Sequence, residues 1–245
     1  MKKFLTAISV LVVLGCSVCS CNNNKKPTSK NTSTGTVTEN SVSEESSTED
    51  SISEIETTPT TPTNAPNDAK LSEDVIKPLI NYFKSYQDND AELLLESTTP
   101  KFCLNWAKET DIYDDAVLSA KDSIETSVVL WKHTYGDNVT REFIEEVQNT
   151  TFTPEQIEWA NMMLKYDYYG INSDFEVAEG YEIVFRYTLK GDKDEKTDEQ
   201  AACLINIKDE GWILLEQNAE SLIDYKDVPP PEEIAKTTES ETSAE

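Results

Sequence analysis

The chain is short of histidine, of positive charge and of long apolar stretches. His133 is the one histidine among 245 residues. A single imidazole excludes a metal site built on a histidine cluster. No Ser-His-Asp order, phosphate loop or dinucleotide fingerprint occurs either. Basic residues number 21 against 47 acidic ones, for a net charge of −26. A nucleic-acid binder needs a basic footprint, and none exists here. An anionic membrane surface would repel such a domain. This charge suits a solvated, non-adhesive surface, with a calcium-rich or cationic partner as the alternative. The first apolar run, Phe4 to Leu14, falls short of the roughly 20 residues that span a bilayer.

What is present divides the chain unevenly. Residues 22–69 are Ser, Thr, Asn, Pro, Glu and Lys, with only Val37, Val42, Ile52 and Ile55 as larger apolar groups. Such a composition buries too little surface to offset the entropy of ordering, so a disordered tether is expected. Residues 228–245 read as a similar acidic tail. Residues 70–227 are long enough for one domain with a real core.

Lys2 and Lys3 precede the short apolar run, an arrangement that reads as an export signal over residues 1–15 rather than a membrane span. The run closes on Val13-Leu14-Gly15-Cys16. This resembles the lipobox of bacterial lipoproteins. Gly15 and Cys16 match that pattern, while Leu14 and Val13 depart from its usual order. The resemblance implies diacylglycerol on the Cys16 thiol, cleavage before it, and residence on the outer side of the cell membrane. Cys21, preceded by Ser20, is the rival anchor. Two acyl chains hold a protein stably where one holds it marginally. The tether of about 48 residues would then have an r.m.s. reach of about 35–40 Å if flexible, with a stiffer stretch near Pro59, Pro62 and Pro66.

Within the domain, apolar spacing predicts a helix over 72–86, interrupted by Pro78 and so kinked or begun near Lys77. Asp90 is expected to cap a short helix reaching Leu95, and Thr99-Pro100 to open another as N-cap and first residue. A long helix is expected over 116–133, stopping near Gly136. Residues 141–148 are ambiguous: Phe143, Ile144 and Val147 suit a helix, while Val139, Phe143 and Val147 fit alternation only partly. Thr153-Pro154-Glu155-Gln156 is a capping box, and its helix should end by Gly170. The period then becomes two, through Tyr181, Ile183, Phe185, Tyr187 and Leu189, and again through Cys203, Ile205 and Ile207. Asp209-Glu210-Gly211 is a turn, and 212–216 a returning strand. Helices first and antiparallel strands last make an α+β fold.

The segments "YEIVFRYTLKG", "AACLINIK", "DEGW" and "ILLE", behind a helical half, are similar to NTF2-like (cystatin-like) domains. In particular they resemble domains of uncharacterised function on secreted lipoproteins of Gram-positive bacteria. The likeness covers about 71–216. It implies a curved antiparallel sheet wrapped around helices, often with a pocket. The family includes isomerases, dehydratases, binding modules and structural modules, so fold alone does not choose among them.

Candidate sites are few. Lipidation is assigned to Cys16, and no catalytic, cofactor-binding or metal-ligating residue is assigned. His133, near a helix C-terminus, complements the helix dipole. Asp192, Asp194, Glu195, Asp198 and Glu199 read as a solvated loop without the spacing of a calcium-binding loop. Cys103 and Cys203 fall on apolar faces and are expected as buried thiols, with a disulfide as the alternative. Tyr166, Tyr168 and Tyr169 are expected to pack on the sheet, with a binding patch as the alternative. Three functions follow: a membrane-anchored binding or interaction module with no nucleic-acid partner, an isomerase-like enzyme with a carboxylate in an apolar pocket, or a spacer of the cell envelope.

Overall fold

The computed structural model describes residues 64–171 and 174–231. The signal segment, Cys16, Cys21, most of the tether and most of the tail lie outside the described residues. Four helices come first: α1 (Glu73–Asp88), α2 (Ala91–Thr98), α3 (Lys101–Glu109) and α4 (Tyr113–Tyr135). Strand β1 (Thr140–Thr151), helix α5 (Pro154–Asp167) and strands β2 (Val177–Lys190), β3 (Glu195–Ile207) and β4 (Gly211–Leu215) follow, then a 3-10 helix over Ala219–Tyr225. The strands form one antiparallel sheet in the order β1-β2-β3-β4. The α+β class read from the sequence is therefore correct.

Both faces of the sheet carry helices. Ile183, Phe185, Ala202, Leu204 and Leu214 share a core with α1, α2 and α4. Cys203, Ile205, Ile207 and Ile213 share another with α5, the 3-10 helix and Phe102 and Cys103 of α3. β3 thus lies between two cores, and residues 202–205 and Ile207 are all buried. The alternation of Cys203, Ile205 and Ile207 marks only one of its two apolar faces.

Local chemistry explains most element ends. The Asp90 carboxylate accepts from Leu93 N at 3.0 Å and starts α2. Thr153 accepts from Gln156 N while Gln156 Oε1 accepts from Thr153 N, so the capping box is complete. α1 runs through Pro78 instead of starting beside it. The carbonyl that loses its partner belongs to Asp74, in an exposed first turn where water serves. α3 departs from expectation. Its N-cap is Pro100, and no side chain of its own caps it. The Glu210 carboxylate, from the β3–β4 turn, accepts from Phe102 N at 3.0 Å instead. A partner distant in sequence has replaced Thr99, whose buried hydroxyl has no hydrogen bond among the described residues.

β1 resolves the ambiguous stretch. Its register against β2 slips between Phe143 and Glu145 and again between Glu146 and Gln148. Ile144 and Val147 are the extra residues of these bulges, and both are exposed. Two insertions in eight residues break the period of two, so no simple pattern could appear. β1 is also an edge strand, and its far half is covered by the end of the tether. Asn67 N donates to Asn149 O at 2.8 Å, Asn64 Nδ2 to Thr151 O at 3.0 Å, and Asn149 Nδ2 to Ala69 O at 2.9 Å. Leu71 N donates to the buried Glu146 carboxylate at 3.1 Å. Contacts to the domain thus begin before the composition break at Lys70, because asparagines rather than apolar groups make them.

Candidate functional site

Two places combine titratable and aromatic groups, and the larger is inside the first core. Arg141 enters from the start of β1 and is 6 % exposed. Its guanidinium carbon lies 4.8–5.9 Å from the centroids of five rings: Tyr82, Phe83, Tyr86, Trp131 and Tyr187. This is an aromatic cage filled by the domain's own cation. Arg141 Nη1 donates to the Tyr82 hydroxyl at 3.1 Å, and Nη2 to Gln200 Oε1 at 3.0 Å. Among the described residues its Nε has no hydrogen-bond partner.

The Tyr82 hydroxyl in turn donates to Glu216 Oε2 at 2.7 Å. Glu216 is half-buried, just beyond β4. Burial raises its carboxyl pKa, while the Tyr82 hydrogen bond and the Arg141 charge pull the other way. Burial also pushes Tyr82 well above the usual phenol range, helped by the Glu216 charge. One hydroxyl therefore links a caged cation to a carboxylate with a reason to hold its proton. Chemically this pair can exchange a proton at Glu216. Arg141 itself is enclosed by rings and serves as a pin joining β1, α1, α4, β2 and β3.

The second place is the end of α5. Tyr168 is buried against Phe102, with ring centroids 5.6 Å apart. Tyr166 and Tyr169 are each 49 % exposed. Tyr225, from the 3-10 helix, meets Tyr166 edge-on at 6.5 Å. Asp167, the last residue of α5, is half-buried, and its charge is felt by Tyr168 and Tyr225. Burial raises its carboxyl pKa to about 6, and no lysine or arginine pairs with it among the described residues. Burial raises Tyr225 to about 12, with Asp167, Asp224 and Tyr166 adding to the effect. The tyrosine cluster thus splits: one ring packs inward and two face water.

The other residues singled out in the sequence occupy plain positions. His133 is exposed in the last turn of α4. Cys103 and Cys203 are free buried thiols in one core. Burial raises Cys103 to about 12, helped by the Glu210 charge, and lifts Cys203 well above its ordinary value. The acidic segment is not one loop. Asp192 and Asp194 lie in the turn, whereas Glu195, Asp198 and Glu199 belong to β3. There Glu199 pairs with Arg186 at 2.7 Å, Glu195 with Lys190 at 3.3 Å, and Asp198 with Lys196. Among the described residues, no group of three or more His, Cys, Asp or Glu side chains is placed to hold a metal ion, and no helix is long and apolar enough to cross a membrane.

Arg141, Tyr82, Glu216 and Asp167 were not singled out from the sequence. Two of them carried a signal. Arg141 and Phe143 are two apart on a strand, and Glu216, one residue past β4, continues the phase of Trp212 and Leu214, so phase sets both charges toward a core face. Searches of protein-family models, curated proteins and solved structures find no match to this chain.

Proposed function

We propose that the protein is an extracytoplasmic lipoprotein, anchored through diacylglycerol on Cys16, whose NTF2-like domain acts as a binding or interaction module. The signal layout and the Gly15-Cys16 junction support the anchor. The observation that carries the binding reading is the end of α5: Tyr166 and Tyr169 are each about half exposed there, and the last helical residue, Asp167, is a desolvated carboxylate with no lysine or arginine paired to it among the described residues. Such a group destabilises the fold, and perturbed groups of this kind concentrate at functional sites. Apolar area with one placed polar group is also what recognition generally uses. Mass spectrometry of the mature N-terminus tests the anchor. Diacylglycerol on Cys16 is expected, lost together with processing in Cys16→Ala. A lipid-free terminus would overturn it. A pull-down from cell-envelope extract tests the module, with Tyr166→Ala/Tyr169→Ala beside the native protein. A partner held equally by both would place binding elsewhere.

The Glu216–Tyr82 pair favours a second reading, an isomerase-like enzyme. A carboxylate of raised pKa beside a phenol among apolar rings has the elements of proton abstraction next to a carbonyl. The protein would then catalyse exchange of α-protons of a ketone with deuterated water, and Glu216→Gln would abolish it. Equal exchange by both proteins would end this reading.

A further inference from the structure

We propose that residues 64–70 form an exchangeable strap, and that two copies of this protein pair by each laying its strap on the β1 edge of the other. This goes beyond the binding-module reading and does not depend on it.

The strap runs antiparallel to the end of β1, with Asn64 beside Thr151 and Asn67 beside Asn149. Asn67 N donates to Asn149 O at 2.8 Å, the kind of bond that an added antiparallel strand makes. Side chains extend the ladder. Asn67 Nδ2 donates to Thr151 Oγ1 at 3.1 Å and also to Asn149 Oδ1. Asn64 Nδ2 donates to Thr151 O at 3.0 Å, and Asn149 Nδ2 to Ala69 O at 2.9 Å. The edge of β1 thus accepts an extended segment of this sequence.

The same strap is held only lightly. Each of residues 64–70 is exposed, so its departure costs no apolar burial of its own. Its hydrogen bonds are open to water, which offsets most of their loss. Leu71 is the first residue that packs on the first core, and its N–H donates to the buried Glu146 carboxylate at 3.1 Å. Lys70 is therefore the hinge, and the core stays closed when the strap swings out.

A bare strand edge is a template for pairing. Direct pairing of two β1 edges is disfavoured. It would bring Glu142 and Glu145 of both copies together, and the bulges at Ile144 and Val147 interrupt the ladder. The strap's own contact is different, because Asn64, Asn67, Asn149 and Thr151 are all uncharged. A strap from a second copy meets the same partners as the native one. Exchange then trades like for like, which makes it a low-cost route to a dimer. The net charge of −26 opposes approach, but exposed charges are screened beyond about 8 Å at physiological ionic strength. Equal contacts leave association entropy to decide, so pairing needs the high local concentration that copies on one membrane surface reach.

The test uses the mature chain with Cys16, Cys19 and Cys21 changed to Ser, leaving the buried Cys103 and Cys203. Asn67→Cys chains are mixed with Thr151→Cys chains and mildly oxidised. These two side chains touch in the strap contact, which suits a disulfide. The mixed dimer is expected to rise with concentration up to about 1 mM, in the range that tethering supplies. Its yield is expected to exceed by at least about tenfold that of Asn67→Cys with Asp192→Cys, an exposed turn position. A chain carrying both Asn67→Cys and Thr151→Cys, oxidised when dilute, closes its own strap. It is expected to stay monomeric in sedimentation where the reduced chain pairs. Thermal melts confirm that each variant folds. A yield no higher than the turn control, or no mixed dimer at about 1 mM, would overturn the proposal. Dimerisation of the locked chain as full as that of the reduced one would overturn it too, by placing the interface elsewhere. None of these outcomes alters the pull-down that tests the binding module, so the two readings fail separately.

Discussion

Replacing Tyr82 by Phe deletes one oxygen and leaves the ring, its packing and its place in the Arg141 cage. That oxygen accepts from Arg141 Nη1 and donates to Glu216 Oε2. A hydrogen bond to a charged group contributes about 1.5–3 kcal/mol net. The two halves of the loss differ. Glu216 is half-buried, so water replaces much of its lost donor at a cost of about 1 kcal/mol or less. Arg141 is enclosed by rings, is only 6 % exposed to solvent, and already has an Nε with no partner among the described residues. Its side carries the larger loss, for a total of about 2–4 kcal/mol. With a urea m-value of about 2 kcal/mol per molar, the unfolding midpoint falls by about 1–2 M.

The pH dependence has a definite sign. Glu216 titrates above its ordinary value in the folded state. Its contribution is therefore best below the unfolded value, about 4.3, and is lost as pH rises through the folded one. The Tyr82 hydrogen bond restrains that rise. Removing it raises the folded pKa further, so Tyr82→Phe costs more near pH 8 than near pH 4. Urea titrations of both proteins at the two pH values decide the matter. An unchanged midpoint, or a cost no larger at the higher pH, would refute the relay.

Asp167→Asn is expected to stabilise the protein near neutral pH by about 1–2 kcal/mol, allowing for partial solvent exposure. A carboxyl raised to about 6 costs stability as pH climbs through that value, so the gain fades below about pH 4; thermal melts across this range measure it. Gly180→Ala sets a Cβ inside the packed Phe152 ring and is expected to cost about 1–3 kcal/mol by urea unfolding. Cys103 and Cys203, buried and held as neutral thiols, should resist iodoacetamide near pH 8 in the native protein and react on unfolding, as peptide mapping will show. Trp212 is half-buried against Tyr181, ring centroids 5.6 Å apart, so its change to Ala should cost about 2–3 kcal/mol.

Much of the fold was legible because much of it is local. Asp90, the Thr153–Gln156 box and Gly136 act within one turn of the element they bound. β2 was visible because Ile183, Phe185 and Leu189 meet a core on one face while the other face carries Glu182, Arg186 and Thr188. β1 was not, because two bulges shift its phase. The first part of β3 was not either. Residues 195–200 carry no apolar alternation, and pairing to β2 and cross-strand ion pairs make them a strand. The 3-10 helix gave too short a pattern to stand out, though Leu222 is fully buried against α5.

The sequence by itself determined the α+β order, the acidity, the absence of a histidine-based metal site and the composition break near Lys70. These depend on residue type and on spacing within a few positions. Tertiary structure alone decided that β3 is buried on both faces and that Glu210 caps a helix 108 positions away from its own turn. It also decided that Arg141 fills a cage of rings from α1, α4 and β2, and that Asp167 is desolvated with no lysine or arginine paired to it among the described residues. Charge type is written in the chain, but dielectric surroundings and counter-charges come from elements distant in sequence. Those surroundings set which charge is held inside a core and how far each carboxyl is shifted from its ordinary range.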